Sequence, residues 1–227
     1  MYWIDFNGHR NREFGIEVTS RPSIPAPSLR GEYVSVAGRD GSLLITDGAR
    51  ENIPIDVPMN VVNRPYWLGD SYRRAKAWLR GGGKLKVFDD SSVHYRVKNV
   101  EISDNQRFRT GQKFVASFIS DPYTYLDSGL AEIEPGTLTN PGDLCFPQYR
   151  ITGSGNAVLT VNGHSVTSKY SGVLTIDRDL MIAYADDKTV VNTATEGDFL
   201  PLSLQPGVNE VSISGGDLTI IPNWRML

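Results

Sequence analysis

Apolar and polar residues alternate with a period of two along most of this chain, the pattern of strands that bury one face. In the first half the segments YWIDFN (2–7), GIEVTS (15–20), EYVSVAG (32–38), SLLIT (42–46), NIPIDVPMNVV (52–62), KLKVFDD (84–90), YRVKNVEIS (95–103) and KFVASFIS (113–120) read as strands separated by Gly, Asn, Asp or Pro. Pro54 and Pro58 fall inside the fifth of them. Neither can donate to a ladder, so that strand is expected at a sheet edge or across a bulge. The pattern turns helical in WLGDSYRRAKAWLRGGG (67–83). There Tyr72, Ala75, Trp78 and Leu79 share one face, Asp70 or Ser71 offers a cap, and Gly81 to Gly83 end the helix. Arg73, Arg74, Lys76 and Arg80 read as its solvated face, with basic residues at the end that the macrodipole favours.

From about Leu144 the texture is purely that of strands. DLCFPQYRITG, NAVLTVNG, SVTSKY, GVLTIDRD, LMIAYADD, TVVNTA, LPLSLQPG, NEVSISG and DLTIIP follow one another roughly every ten residues, the rhythm of a β-sandwich or jelly roll. Asn162-Gly163 is a two-residue hairpin signal, since both positions of such a turn need a positive φ. Residues 122–142 read as a linker and entry loop.

Charge adds a boundary to this picture. The 227 residues carry a formal net charge of −3, which gives no sign of a nucleic-acid binder. Residues 1–129, however, hold 18 Lys and Arg against 15 Asp and Glu, a net +3, whereas residues 130–227 hold 5 against 11, a net −6. Two domains, 1–129 and 130–227, are therefore expected, with the last strand free to pack back on the first domain. The single cysteine, Cys145, excludes an internal disulfide and reads as a small buried residue rather than a reactive thiol. No basic region followed by an apolar run opens the sequence, and no window approaches ~18 apolar residues. A soluble protein made in the cytoplasm is the expectation.

Catalytic constellations are hard to find. The three histidines, His9, His94 and His164, read as surface or turn residues, and no H-x-x-x-H or C-x-x-C spacing supports a metal. Asp177 and Asp179 could share a strand face ~6 to 7 Å apart, as paired glycosidase carboxylates do, but they stand where a strand turns, an ordinary place for aspartate. GGGKLK lacks the hydroxyl residue and following helix of a phosphate loop. VAGRDGSLLITDG (36–48), with two Asp-Gly pairs, raises the question of calcium. If SLLIT is extended, seven residues at ~3.3 Å each hold Asp40 and Asp47 ~23 Å apart, beyond one ion shell. These pairs are expected to mark the two ends of one strand. Neither a cofactor nor a metal is expected.

Taken together, VAGRDGSLLITDG, the helix leading into GGGKLKVFDD, YRVKNVEIS, FVASFISDPYTY with its Asp121-Pro122-Tyr123, LTIDRDLMIAY, GDFLPLSLQPGVNEVSISG and the ending IIPNWRML resemble the distal tail (Dit) proteins of long-tailed bacteriophages. The resemblance spans nearly the whole chain. It implies a mainly β protein: an N-terminal β-sandwich-like ring domain with one α-helix and a projecting hairpin, and a C-terminal β-sandwich similar to galectins and carbohydrate-binding modules. It also implies a structural, non-enzymatic role in the virion tail tip, assembled in the host cytoplasm. Six copies would form a ring, single or stacked, that leaves a channel for DNA without reading its sequence. The implied partners are the tail tube protein, the tail-tip hub or tail-associated protein, and a receptor-binding protein or side fibre, with no membrane.

On this reading Arg39, Asp40 and Gly41 form a turn at a subunit contact, and Leu44 lies on a strand with apolar residues on both faces because something covers each. Asp121, Pro122 and Tyr123 are assigned to a subunit contact as well. The alternative reading is a carbohydrate-binding module or lectin-like adhesin. Against it, the second half has no tryptophan before Trp224, which reads as a packing residue, and Tyr149, Tyr170 and Tyr184, which could serve as platforms, read as core or rim residues of sandwich strands.

Overall fold

The computed structural model describes residues 2–61, 68–108 and 111–227. The chain forms two compact units, Met1–Thr124 and Tyr125–Leu227.

The first unit contains β1 (Ile4–Phe6), β2 (His9–Arg10), β3 (Ile16–Val18), β4 (Leu29–Ser35), β5 (Ser42–Arg50), β6 (Ile53–Val61), α1 (Leu68–Trp78), β7 (Gly83–Val87), β8 (Asp90–Ile102), β9 (Gln106–Arg107) and most of β10 (Gln112–Leu126). Its main sheet runs in the order β2-β1-β7-β8-β10-β6-β3, with β9 paired to the start of β10. Strict alternation puts Ile53, Ile55, Val57, Met59 and Val61 of β6 inside, beside Phe114, Ala116 and Phe118 of β10. Asn11 is buried; its side chain accepts from the Ile4 amide at 3.1 Å and donates to the Ile16 carbonyl at 2.7 Å. Since β1 and β3 lie towards opposite ends of the strand order, this one amide holds a curled sheet closed.

The helix caps that core as its pattern predicts. Ala75, Trp78 and Leu79 are buried, Tyr72 packs against the cluster, and Arg73, Arg74, Lys76 and Arg80 are exposed. Trp78 lies flat on Phe14 at 4.6 Å between centroids, and its indole N–H donates to the Phe6 carbonyl at 3.1 Å. The buried indole thus keeps a partner for its polar atom. The helix starts at Leu68, so Asp70 and Ser71 fall within its first turns rather than at the cap; Trp67 and the cap position lie outside the described residues.

The two prolines of β6 explain themselves through ladder phase. Pro58 and Pro54 stand opposite Val115 and Ile119 of β10. Val115 turns its N–H and C=O to Ser103, so the backbone groups of Pro58 point the other way, towards β3, where its carbonyl accepts from the Thr19 amide at 2.9 Å. There β3 covers only Met59 to Val61, and Ser23 adds a bridge to Asp56. The missing N–H groups therefore face the thinly covered side of the strand, as the edge rule requires.

The second unit holds β11 (Gly136–Asn140), β12 (Gln148–Val161), β13 (His164–Ser168), β14 (Ser171–Asp177), β15 (Ile182–Ala185), β16 (Thr195–Glu196), β17 (Gly207–Ile221) and β18 (Arg225–Met226). Strand order is β11-β17-β12-β13-β16, with β14 bridging β12 and β15. Gln148 to Ser154 of β12 pair with β14, and Ala157 to Val161 pair with β13. Between them the register against β17 shifts, from Gly153↔Gly216 to Val158↔Ser214. Gly215 has φ +76° there, and a Cβ on it would meet the Asn156 carbonyl oxygen at 2.4 Å. The long strands turn this corner because the crossing backbones leave no room for a side chain. NEVSISG and DLTIIP, expected as two strands, are thus one bent strand, β17. The Asn162-Gly163 turn forms as expected, joining Val161 to His164.

Some expectations need correction. KFVASFIS continues through Asp121-Pro122-Tyr123 to Leu126 as β10, and GTLTN inside the expected linker is β11. TVVNTA forms a short 3-10 turn at Asn192–Ala194 instead of a strand. His94 is fully buried within β8 rather than at the surface, one of three consecutive buried positions from Val93 to Tyr95. Cys145 is buried, as expected, with burial pushing its thiol pKa up.

Candidate functional site

The hairpin of β4 and β5 is a two-stranded sheet of its own. Its register pairs Tyr33 with Leu44, Val34 with Leu43, Glu32 with Ile45 and Ser35 with Ser42. Residues directly opposite share a face. One face therefore carries Tyr33 and Leu44, and the other carries Val34, Leu43 and Ile45 beside Glu32. Exposure is high on both: Tyr33 71%, Leu44 40%, Leu43 39% and Ile45 62%. A hairpin lying on one surface would show an apolar and a polar face, and an isolated hairpin is marginal at best in water. Here large apolar side chains stand exposed on both faces instead.

The tip runs from Val36 to Gly41 and is held by the Arg39 amide donating to the Val36 carbonyl at 3.2 Å. Arg39, Asp40 and Gly41 are exposed at this tip, and Leu44 stands two residues into β5, so the structure brings these four together on one element. Asp47-Gly48, expected to end the strand, instead forms a bulge inside it: Asp47 to Ala49 oppose the single residue Arg30. Gly48 takes φ +78°, which a side chain would strain. The Asp47 carboxylate pairs with Arg30 and accepts from the Ala49 amide at 2.9 Å. Arg30, followed by the Ala49 amide, holds the Asp47 carboxyl below its ordinary range. Sequence reasoning missed the bulge, although an Asp-Gly pair beyond a β-branched run is a signal for one.

Asp121, Pro122 and Tyr123 lie elsewhere, on β10 in the main sheet, where Asp121 pairs with Lys98 at 2.8 Å. They belong to a different sheet from the hairpin.

The groups weighed for chemistry have structural work. Asp177 accepts from the Asp179 and Leu180 amides, each at 3.0 Å, and from Gln148 at 2.7 Å, which makes it the organiser of a turn rather than half of a carboxylate pair. Among the described residues no group of three or more His, Cys, Asp and Glu is placed to hold a metal ion. No described helix is long and apolar enough to cross a membrane. In the second unit Tyr149 is fully buried with its hydroxyl donating to the Leu202 carbonyl at 2.7 Å, and burial raises its pKa far above the usual phenol value. Trp224 packs into the same core. Tyr170 and Tyr184 are half-buried, with Lys188 4.6 Å over the Tyr184 ring.

Two β units with one α-helix among the described residues, and an exposed hairpin, define the class: a β-rich protein whose most conspicuous feature is a surface rather than a pocket. No family model matches the chain, and no curated protein does. Among solved structures it is similar to the Dit protein of phage SPP1, described as a paradigm of the hub adsorption apparatus in phages infecting Gram-positive bacteria. The TM-score is 0.73 at 14% identity, over 97% of each chain. The chain thus has the fold of a phage distal tail protein.

Proposed function

We propose that this chain is a structural component of a phage tail tip, a hub on which the adsorption apparatus is built. The observation that carries the reading is the hairpin of β4 and β5, with large apolar side chains exposed on both faces in a protein that shares its fold with a tail hub. In the finer form of the proposal six copies close into a ring, single or stacked, each hairpin covered by a neighbour. The ring joins the tail tube protein to the tail-tip hub protein and to a receptor-binding protein or side fibre, and leaves a lumen for DNA without reading its sequence. Such a protein works by geometry: identical interfaces that close cyclically fix the symmetry at which tube and adhesion proteins meet. Catalysis has no part in this, and assembly takes place in the host cytoplasm.

Negative-stain images of the purified protein, alone and mixed with its phage's tail tube protein, test the reading. Rings with a central hole that cap the tube support it. Particles that neither close nor bind the tube refute it.

A further inference from the structure

We infer that the second unit accepts an extended, basic segment of another chain as an added strand along the outer edge of β11. Among the described residues β17 is the one strand that pairs with β11, so the other side of β11 is an end of the sheet. The ladder phase shows which groups face out there. The Asn162 amide donates to the Glu210 carbonyl at 2.9 Å, and the Glu210 amide donates to the Asn162 side-chain oxygen at 2.9 Å. Both backbone groups of Glu210 thus turn towards β12 and away from β11. Thr137 stands directly opposite Glu210, so these two residues exchange no hydrogen bonds and Thr137 turns its own N–H and C=O outward. Thr139, two residues on and opposite Val208, does the same. Both threonines are exposed.

An edge of this kind is ordinarily blunted by a lysine, a proline or a bulge. β11 has none of them: GTLTN carries no charge, Pro135 and Pro141 stand just outside it, and its register against β17 runs without a shift. An added strand would bond to the outward groups of Thr137 and Thr139, and the neighbouring side chains decide which segment fits. Those neighbours are acidic. From Ala131 to Tyr149 and from Gly207 to Ile221 every charged residue is Asp or Glu. Glu132 and Glu134 lead into β11, Glu210 stands beside Thr137, and all three are exposed. A second copy of β11 would bring the same acidic lead and no opposite charge. A strand with Lys or Arg at its ends supplies one, and a β-branched residue between them suits Val208, which is 69% exposed beside Thr139.

A fluorescein-labelled peptide, Arg-Thr-Val-Thr-Val-Thr-Arg, tests this on the full chain by fluorescence anisotropy. The native protein should bind it at least about tenfold more tightly than the same peptide with Glu at both ends. Thr137→Pro together with Thr139→Pro removes two amides that β17 does not use, so the melting curve should stay unchanged while binding falls at least about tenfold. Glu134→Lys, an exposed change outside the ladder, should shrink the preference for the basic peptide at least about threefold, and it decides the matter if the prolines lower the melting point. Equal binding of the two peptides by the native protein, or an unchanged preference in Glu134→Lys, overturns the choice of a basic partner. Binding that survives both prolines in a folded protein overturns the edge as its seat. No binding of the basic peptide at ~1 mM overturns the inference as a whole and leaves the ring reading untouched.

Discussion

Truncating Ile45 to alanine separates a surface that exists to be covered from one that merely tolerates water. At 62% exposure Ile45 leaves on the order of 100 Å² of apolar side chain in solvent, worth about 2.5 kcal/mol when covered at about 25 cal/mol per Å². Alanine keeps only part of that area, so each contact should lose about 1.5 kcal/mol, or roughly tenfold in association. The isolated subunit should hardly notice: an exposed substitution away from caps, cores and networks changes stability by no more than about 0.5 kcal/mol. Ile45→Ala is therefore expected to shift the concentration dependence of assembly, read by light scattering, while the melting curve of the dissociated subunit stays put. Assembly identical to that of the native protein would refute the claim that this face is covered. A lowered melting point without a change in assembly would instead show that Ile45 serves the fold of the hairpin itself.

Other consequences concern the scaffold. Asn11→Ala leaves the Ile4 amide and the Ile16 carbonyl buried without their partner and should cost about 2 to 3 kcal/mol, seen as a lower urea midpoint with little change in slope. Gly215→Val forces a side chain into a positive φ and onto the Asn156 carbonyl, so it should destabilise the second unit by at least about 2 kcal/mol in thermal melts. The Asp47 carboxyl, whose folded pKa is lowered by Arg30 and the Ala49 amide, stabilises the bulge above its unfolded pKa and loses that effect as pH falls through the folded value. Carbon-detected NMR should find Asp47 titrating below an ordinary aspartate, and Arg30→Met should move it back up.

Much of this fold was legible from alternation alone. The helix face of Ala75, Trp78 and Leu79, the Asn162-Gly163 turn and the apolar stripe of β6 follow from local periodicity, and the structure keeps them. What stayed hidden depends on partners distant in sequence. Gly215-Gly216 looked like a break between strands because a sequence does not show that Asn156 crosses there; the same glycines bend one continuous strand. Asp47-Gly48 looked like a strand end for the same reason, since only the opposing Arg30 makes it a bulge. His94 reads from the sequence as a surface or turn residue because its polar flank, Ser91 and Ser92, masks the buried run that begins at Val93. At the candidate site, the sequence placed Arg39 to Gly41 in a turn and Leu44 on a strand with apolar neighbours on both sides. The structure adds the register that sorts those neighbours into two exposed faces.

The central claim is that the exposed hairpin exists to join copies of this chain, and the mass of the purified protein in solution tests it most directly. Light scattering coupled to size-exclusion chromatography should give about 150 kDa, six times 25.1 kDa, alone or once the tail tube protein is added, and dissociation when Tyr33, Leu44 and Ile45 are all replaced by aspartate. A mass of 25.1 kDa at every concentration, with and without the tube, would contradict it.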